Sequence, residues 1–181
     1  MNLYLVRHGK TLMNEKGLIQ GSSNTPLNET GIKEANMAKE ELKNVKFDMC
    51  FSSPLKRTME TAKIITDNKC DIIIDNRLIE RDVGSLEGKR YDEYAKGNYW
   101  DQRLNNSENG VEPVNDLLKR VNEFLNYLKT LDYENVLIVS HAATIRAMHY
   151  NILGYDDNTS LLDFYVENAK VYKYKIGGKH D

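Results

Sequence analysis

Two apolar runs constrain the fold more than any other feature of the chain. Residues 3–6 (Leu-Tyr-Leu-Val) and 136–139 (Val-Leu-Ile-Val) are near-continuous stretches of strand-forming side chains. That is the pattern of strands buried on both faces. Each is followed two residues on by a histidine, in Arg7-His8-Gly9 and in Ser140-His141. Further strands are expected at 47–52, 71–74 and 171–176. Helical spacing separates them. After the loop that begins at Pro26, Asn28 is placed to cap a helix carrying Ile32, Ala35, Ala38 and Leu42 to about residue 45. Ser53-Pro54 reads as N-cap and first position of a helix with Leu55, Met59, Ala62 and Ile65 on one face. The stripe Val114, Leu117, Val121, Phe124, Leu125 and Leu128 marks the clearest helix, over 114–128. A last helix is expected from 144 to 153, with Gly154 after it.

Strands alternating with helices predict an α/β fold, a three-layer α/β/α sandwich with a mostly parallel central sheet. Ligands in such sheets bind beyond the C-terminal ends of the strands, where both histidines fall. Periodicity fails from 84 to 113, a stretch that holds Tyr91, Tyr94, Tyr99 and Trp100. The 181 residues are expected to form a single domain, 1–181, with a short cap-like insertion at about 85–113. Residues 177–181, including His180, read as a frayed tail.

Composition removes several classes of function. Lys and Arg number 25 against 27 Asp and Glu, a formal charge of −2, which does not fit a basic nucleic-acid-binding surface. Cys50 and Cys70 are too few for a disulfide framework. No CxxC pair or HExxH suggests a metal. No signal-peptide pattern opens the chain, and no apolar run approaches a membrane span. The expectation is a cytoplasmic protein, without cofactor or metal, acting as a monomer or homodimer away from membranes.

Four segments carry chemistry. Arg7-His8-Gly9 points a histidine at a crevice, as a base, ligand or nucleophile, or as a packed strand-end residue. In Ser52-Ser53-Pro54-Leu55-Lys56-Arg57, a strand feeds a helix N-terminus suited to an anion. Arg57 there either grips an external anion or lies solvated on the surface. Ser140-His141 repeats the strand–helix junction. Glu80-Arg81 sets a carboxylate just after a strand, ahead of Gly84 and Gly88.

Taken together, RHGKT at 7–11, SSPLKRTMETA at 52–62, LIERDVGSLEG at 78–88 and SHAATIR at 140–146 resemble the histidine phosphatase superfamily, also called phosphoglycerate mutase-like. IQGSSNTPLNETG at 19–31 fits the same family, and the match covers nearly the whole chain. The resemblance implies that the last strand is an antiparallel edge and that His8 is a nucleophile that becomes phosphohistidine. It implies that Arg7, Arg57 and His141 hold the phosphoryl oxygens and that Glu80 donates a proton to the leaving group. Asn14, Gln20 and Gly21 would lie at the same pocket. The physics is coherent, because phosphoryl transfer is mainly positioning and electrostatics. The arginines, joined by His141 when it is protonated, disfavour protonation of His8 and keep its lone pair available.

The chain departs from its relatives at several positions. Lys10 either adds charge near the substrate or is a solvated loop residue. Asn24 stands where Asp is common and reads as a loop detail. Arg81 either meets a substrate carboxylate or second phosphate, or forms a surface ion pair. The tyrosines and Trp100 either cap the pocket or simply pack. His149 is expected at a helix surface or core edge. Beyond Gly88 only Lys89, Arg90, Lys96 and Arg103 are cationic, fewer than the resemblance implies for a mutase that holds glycerate. Hydrolysis of a small phosphorylated metabolite is therefore preferred. Candidate substrates are a sugar phosphate, a phosphoglycerate, a nucleoside-type phosphate or α-ribazole phosphate. A phosphoglycerate mutase is the alternative, followed by a non-catalytic phosphate-binding module.

Overall fold

A computed structural model describes residues 1–177, so the expected tail, with His180, lies outside the described residues from 178 onward. Five strands, β1 (Asn2–Arg7), β2 (Met49–Ser52), β3 (Ile72–Ile74), β4 (Asn135–Ser140) and β5 (Val171–Lys175), form one sheet in the order β3-β2-β4-β1-β5. Neighbours β3-β2, β2-β4 and β4-β1 are parallel, and β5 joins the edge of β1 antiparallel.

Side-chain alternation on the inner strands feeds a core on each face of the sheet. In β4, Val136 and Ile138 join one apolar cluster, and Leu137 and Val139 join the other. Helices α5 (Val114–Lys129) and α6 (Ala142–Leu153) pack together and cover the first face. Helices α2 (Glu29–Glu41) and α3 (Lys56–Thr66) cover the second. This is the expected three-layer sandwich.

Local chemistry explains some helix ends. Asn28 caps α2 by accepting the Gly31 N–H at 2.8 Å. Gly154, with φ of 91°, ends α6, which begins at Ala142, two residues earlier than expected. Short elements have no readable period, and three of them border the site or the core. They are α1 (Leu12–Glu15), closed by a Thr11–Asn14 capping box, α4 (Tyr91–Ala95), and the single turn Leu161–Asp163. In the 84–113 stretch Tyr94, Tyr99 and Trp100 are buried and join the main core, so those three aromatics pack. His149 sits at a core edge, stacked on Phe164 with ring centroids 3.7 Å apart.

Phe124 is the keystone of the α5 face. It is fully buried and meets Phe51 edge-on at 5.5 Å. Phe124→Ala leaves a cavity there and is expected to cost about 3–5 kcal/mol of stability in urea unfolding. A loss under about 1 kcal/mol would contradict this packing.

Candidate active site

Strand register brings the two histidines together. Arg7 of β1 pairs with Ser140 of β4, so the next residues, His8 and His141, leave the sheet side by side. Their rings lie 5.2 Å apart, centroid to centroid, and both are buried. The chain then turns tightly over α2. A Cβ on Gly9 would lie 2.3 Å from the Gly31 carbonyl oxygen, and one on Gly31 would lie 2.1 Å from the Lys10 carbonyl oxygen. Glycine is required on both sides of this crossing. Lys10 forms an ion pair with Glu34 at 3.4 Å.

The ring of His8 is fixed in one tautomer. Nδ1 lies 2.7 Å from the Gly9 carbonyl oxygen. A carbonyl only accepts, so Nδ1 carries the hydrogen and Nε2 keeps its lone pair. Burial, followed by the charges of Arg57 and Arg7, holds the His8 pKa well below 6.5. Burial, Arg57, His8 and Arg7 do the same to His141. Burial and the neighbouring arginines therefore favour an uncharged His141, not the third cation that the sequence allowed.

Arg57 is fully buried in the first turn of α3, which excludes the solvated-surface reading. Its Nη1 donates to the Ser23 carbonyl at 2.5 Å and its Nη2 to the Gly21 carbonyl at 2.7 Å. The same loop is held from the other side by Glu87, whose carboxylate accepts the Gly21 and Ser23 N–H groups. Gly21 thus forms the seat of Arg57 and is not part of the cavity wall. Here the expected helix cap is corrected. α3 starts at Lys56, not at Ser53-Pro54, because Leu55 is still extended (φ −76°, ψ 147°), while Ser53 Oγ accepts the Leu55 N–H and lies 2.8 Å from His141 Nε2. Asn24 takes over the capping by accepting the Lys56 N–H at 2.7 Å, so it is more than a loop detail.

Three buried polar atoms around His8 have no protein partner: Arg7 Nε, Arg57 Nε and His141 Nδ1. Arg7 otherwise donates from Nη1 to the Val166 carbonyl at 2.8 Å. Ser53 Oγ receives the Leu55 N–H and lies 2.8 Å from His141 Nε2, and we assign its hydroxyl hydrogen to that nitrogen. His141 Nδ1 is then a donor as well. Buried donors without acceptors are rare and costly, and a cluster of them marks a place for an external anion.

A cavity of about 420 Å³ opens above this cluster. It gathers Arg7, His8, Asn14, Gln20, Glu80 and Arg81, while Arg57 and His141 are not among its wall residues. Thr11 Oγ1 ties Asn14 and Gln20 together, at 3.2 and 2.8 Å from their side-chain oxygens. Glu80 is set by its neighbours: Ser140 Oγ donates to the Leu78 carbonyl and Thr144 Oγ1 to the Ile79 carbonyl, both at 2.7 Å. The Glu80 carboxylate accepts the N–H groups of Arg81, Ala143 and Thr144 at 2.8–3.3 Å, at the start of α6.

Arg81 forms no surface ion pair. It is fully buried, and its Nε, Nη1 and Nη2 donate to the Glu112 carbonyl, Tyr94 Oη and the Tyr99 carbonyl. Its role is to fasten the 84–113 segment over the cavity. Tyr91, Tyr94 and Trp100 line the same space. Sequence reasoning passed over Glu87, Arg146, Leu162, Tyr165 and Val166. Arg146 stood within the quoted SHAATIR segment, and its placement one turn beyond Ala142 and Ala143 was the available signal. The loop residues 162–166 carry no periodic signal.

Among the described residues, no group of three or more His, Cys, Asp or Glu is placed to hold a metal ion, and no helix is long and apolar enough to cross a membrane. A buried imidazole lies beside unpartnered polar atoms at the C-terminal end of a mostly parallel sheet, an arrangement that can receive an anion. The family model of the histidine phosphatase superfamily (branch 1) matches residues 3–180, and the chain belongs to that superfamily of enzymes. A protein of Hydrogenobacter thermophilus, provisionally named phosphoserine phosphatase 2, is 32% identical, over 96% of this chain and 95% of its own. An Enterobacter protein, provisionally named phosphoglycerate mutase GpmB, is 36% identical over 85% of this chain and 75% of its own. Among solved structures, one from Escherichia coli, provisionally titled an α-ribazole-5′-phosphate phosphatase, superposes with a TM-score of 0.83. It is 27% identical and covers 96% of this chain and 89% of that one.

The two buried neutral histidines give a pH dependence with a definite sign. Unfolded histidine takes up a proton near pH 6.5, whereas the folded rings resist it. Below that pH the unfolded state binds more protons, so stability falls as pH falls, with a slope of up to about 1.4 kcal/mol per pH unit for each ring. Urea unfolding between pH 7.5 and 5 is expected to show the decline. A flat profile would contradict it.

Proposed function

We propose that the protein hydrolyses small phosphomonoesters through a phosphohistidine on Nε2 of His8, without a metal ion. The observation that carries this reading is the trio of buried, unpartnered donors, Arg7 Nε, Arg57 Nε and His141 Nδ1, beside an imidazole whose Nε2 lone pair is free. A phosphoryl group brings three negatively charged oxygens to those donors. Each gains most where charge builds up in a site shielded from water.

In the first step the His8 Nε2 lone pair attacks phosphorus and the ester P–O bond breaks. Glu80, carrying a proton at that stage, gives it to the departing alkoxide, and the alcohol leaves. In the second step Glu80, now a carboxylate, takes a proton from water as the water oxygen attacks phosphorus. The P–N bond breaks, the ring nitrogen recovers its lone pair, and inorganic phosphate departs. Glu80 lies on the cavity wall, at the N-terminus of α6, where it can serve both steps.

Transfer of the phosphoryl group between two positions of a glycerate is the rival reading, favoured by the name of the Enterobacter relative. One assay separates the two. Inorganic phosphate release from a panel of phosphomonoesters, including 3-phosphoglycerate, is expected to persist in EDTA and to vanish in His8→Ala. Isomerisation of 3-phosphoglycerate without phosphate release would favour the mutase, and loss of activity in EDTA would overturn the metal-free mechanism. Glu80→Gln is expected to lower kcat/KM, which reports the first step alone, by about 10²–10⁴-fold for alkyl phosphates and far less for p-nitrophenyl phosphate, since that leaving group needs little protonation. Equal losses would remove Glu80 from the acid role.

A further inference from the structure

The lone pair on His8 Nε2 depends on the hydrogen bond made by the other ring nitrogen, and that bond ends on the Gly9 carbonyl at 2.7 Å. Glycine is the residue least able to hold its own peptides in place, because its φ and ψ are the freest. The crossing with Gly31 nevertheless requires glycine there. The orientation of the Gly9 carbonyl must therefore be set from outside, and three side chains from three separate elements meet this turn. The His8–Gly9 peptide is held at both ends. Its carbonyl accepts a hydrogen from Asn168 Nδ2 at 2.9 Å, and its N–H donates to Thr61 Oγ1 at 3.1 Å. The next peptide, Gly9–Lys10, presents its carbonyl to His8 Nδ1 and its N–H to Glu34 Oε2, the latter at 2.9 Å. Thr61 lies on α3 and Glu34 on α2, while Asn168 lies in the loop that leads into β5.

We infer that Asn168, Thr61 and Glu34 are positioning residues for the nucleophile: they fix the two peptide planes that follow His8, and through the Gly9 carbonyl they keep the ring hydrogen on Nδ1 and the lone pair on Nε2. A peptide is planar, so a hold on its N–H also fixes where its carbonyl points. If the Gly9–Lys10 peptide turned, His8 Nδ1 would lose its acceptor. The hydrogen would then be free to sit on Nε2, where it blocks attack on phosphorus. Thr61 is fully buried and gives its own hydrogen to the Arg57 carbonyl at 2.7 Å. One side chain thus couples the turn of the nucleophile to the segment that carries Arg57. Asn168 is aimed by a strained turn. The next residue, Ala169, has a φ of 53°, in the left-handed region that costs an alanine energy. Its N–H donates to the Arg7 carbonyl at 2.9 Å, and the Val166 carbonyl accepts Arg7 Nη1. The same loop therefore grips Arg7 and sets the Asn168 amide against the His8 carbonyl.

The inference rests on the phosphohistidine reading, and two readouts keep the two apart. ¹⁵N NMR of ring-labelled histidine distinguishes a protonated from a bare ring nitrogen, and the His8 signals are those that vanish in His8→Ala. At neutral pH the wild type is expected to show one His8 state, with hydrogen on Nδ1 and a bare Nε2. Asn168→Ala, at a half-buried loop position, and Glu34→Ala are each expected to show a mixture of tautomers. Both are expected to lower kcat/KM for p-nitrophenyl phosphate by about 3- to 30-fold, the range of a single hydrogen bond, neutral or charge-assisted. The inhibition constant of inorganic phosphate is expected to change by less than about twofold, because Arg7 and Arg57 are retained. Thr61→Val is expected to join the mixed group. Thr61→Ser and Glu34→Gln, which keep an acceptor for the peptide N–H, are expected to retain the wild-type tautomer. Should the valine variant fail to fold, the Asn168 and Glu34 variants decide. A single Nδ1-protonated state in both alanine variants, whatever their activity, overturns the inference and leaves the phosphatase reading intact. So do mixed tautomers with unchanged kcat/KM, and so does a parallel loss of phosphate affinity, which marks general damage to the pocket. No phosphate release by the wild type overturns the phosphatase reading, and the positioning role falls with it.

Discussion

Removing a guanidinium group from water is costly, and this protein does so with Arg57, Arg81 and Arg146, and with the inner part of Arg7, around one site. The rest of the site follows from how each is accommodated. Arg57 is held by the carbonyls of Gly21 and Ser23, and Glu87 holds the amides of the same two residues. A surface loop thereby becomes a rigid collar around a buried charge. Arg81 is satisfied by Glu112, Tyr94 and Tyr99, which fastens the irregular segment to the core. Arg146 is satisfied only in part. Arg57 leaves one nitrogen, Nε, without a protein acceptor.

The same charges decide the state of the histidines. Burial would by itself favour neutral rings, and Arg57 and Arg7 reinforce it. A neutral His8, anchored through Nδ1 to its own turn, has a lone pair on the only nitrogen free to react. The donors are fixed before any anion arrives, so little reorganisation is left for the reaction itself. Hydrogen bonds from the end of β4 and the start of α6 hold the segment carrying Glu80 against this arrangement. The sheet register, the collar and the two junction histidines therefore form one construction.

Much of this was legible in the sequence because strand ends carry the chemistry. The apolar runs before His8 and His141 located two parallel strands, and Asn28 announced the start of α2. The failures have physical causes. Ser53 looked like a helix cap, yet its hydroxyl is drawn to His141, and a distant Asn24 caps α3 instead. Arg81 stayed open between a substrate contact and a surface ion pair because its acceptors, two of them backbone carbonyls, come from 13 to 31 residues away in a segment without periodicity. Glu87 binds amides 64 and 66 residues distant, and no local pattern signals such a contact. Arg146 lay in plain view on an otherwise apolar helix face.

The central claim is that a neutral, buried His8 takes the phosphoryl group on Nε2. Its most direct test is ³¹P NMR, with peptide mass spectrometry, on Glu80→Gln protein rapidly quenched in base during turnover of p-nitrophenyl phosphate. That substrate needs little help in leaving, while the variant lacks the base for the second step, so the phosphoenzyme should accumulate. The expected result is one acid-labile phosphoramidate on the peptide containing His8, bonded at Nε2. Phosphate on another residue, or turnover with no phosphoenzyme trapped, would contradict the account.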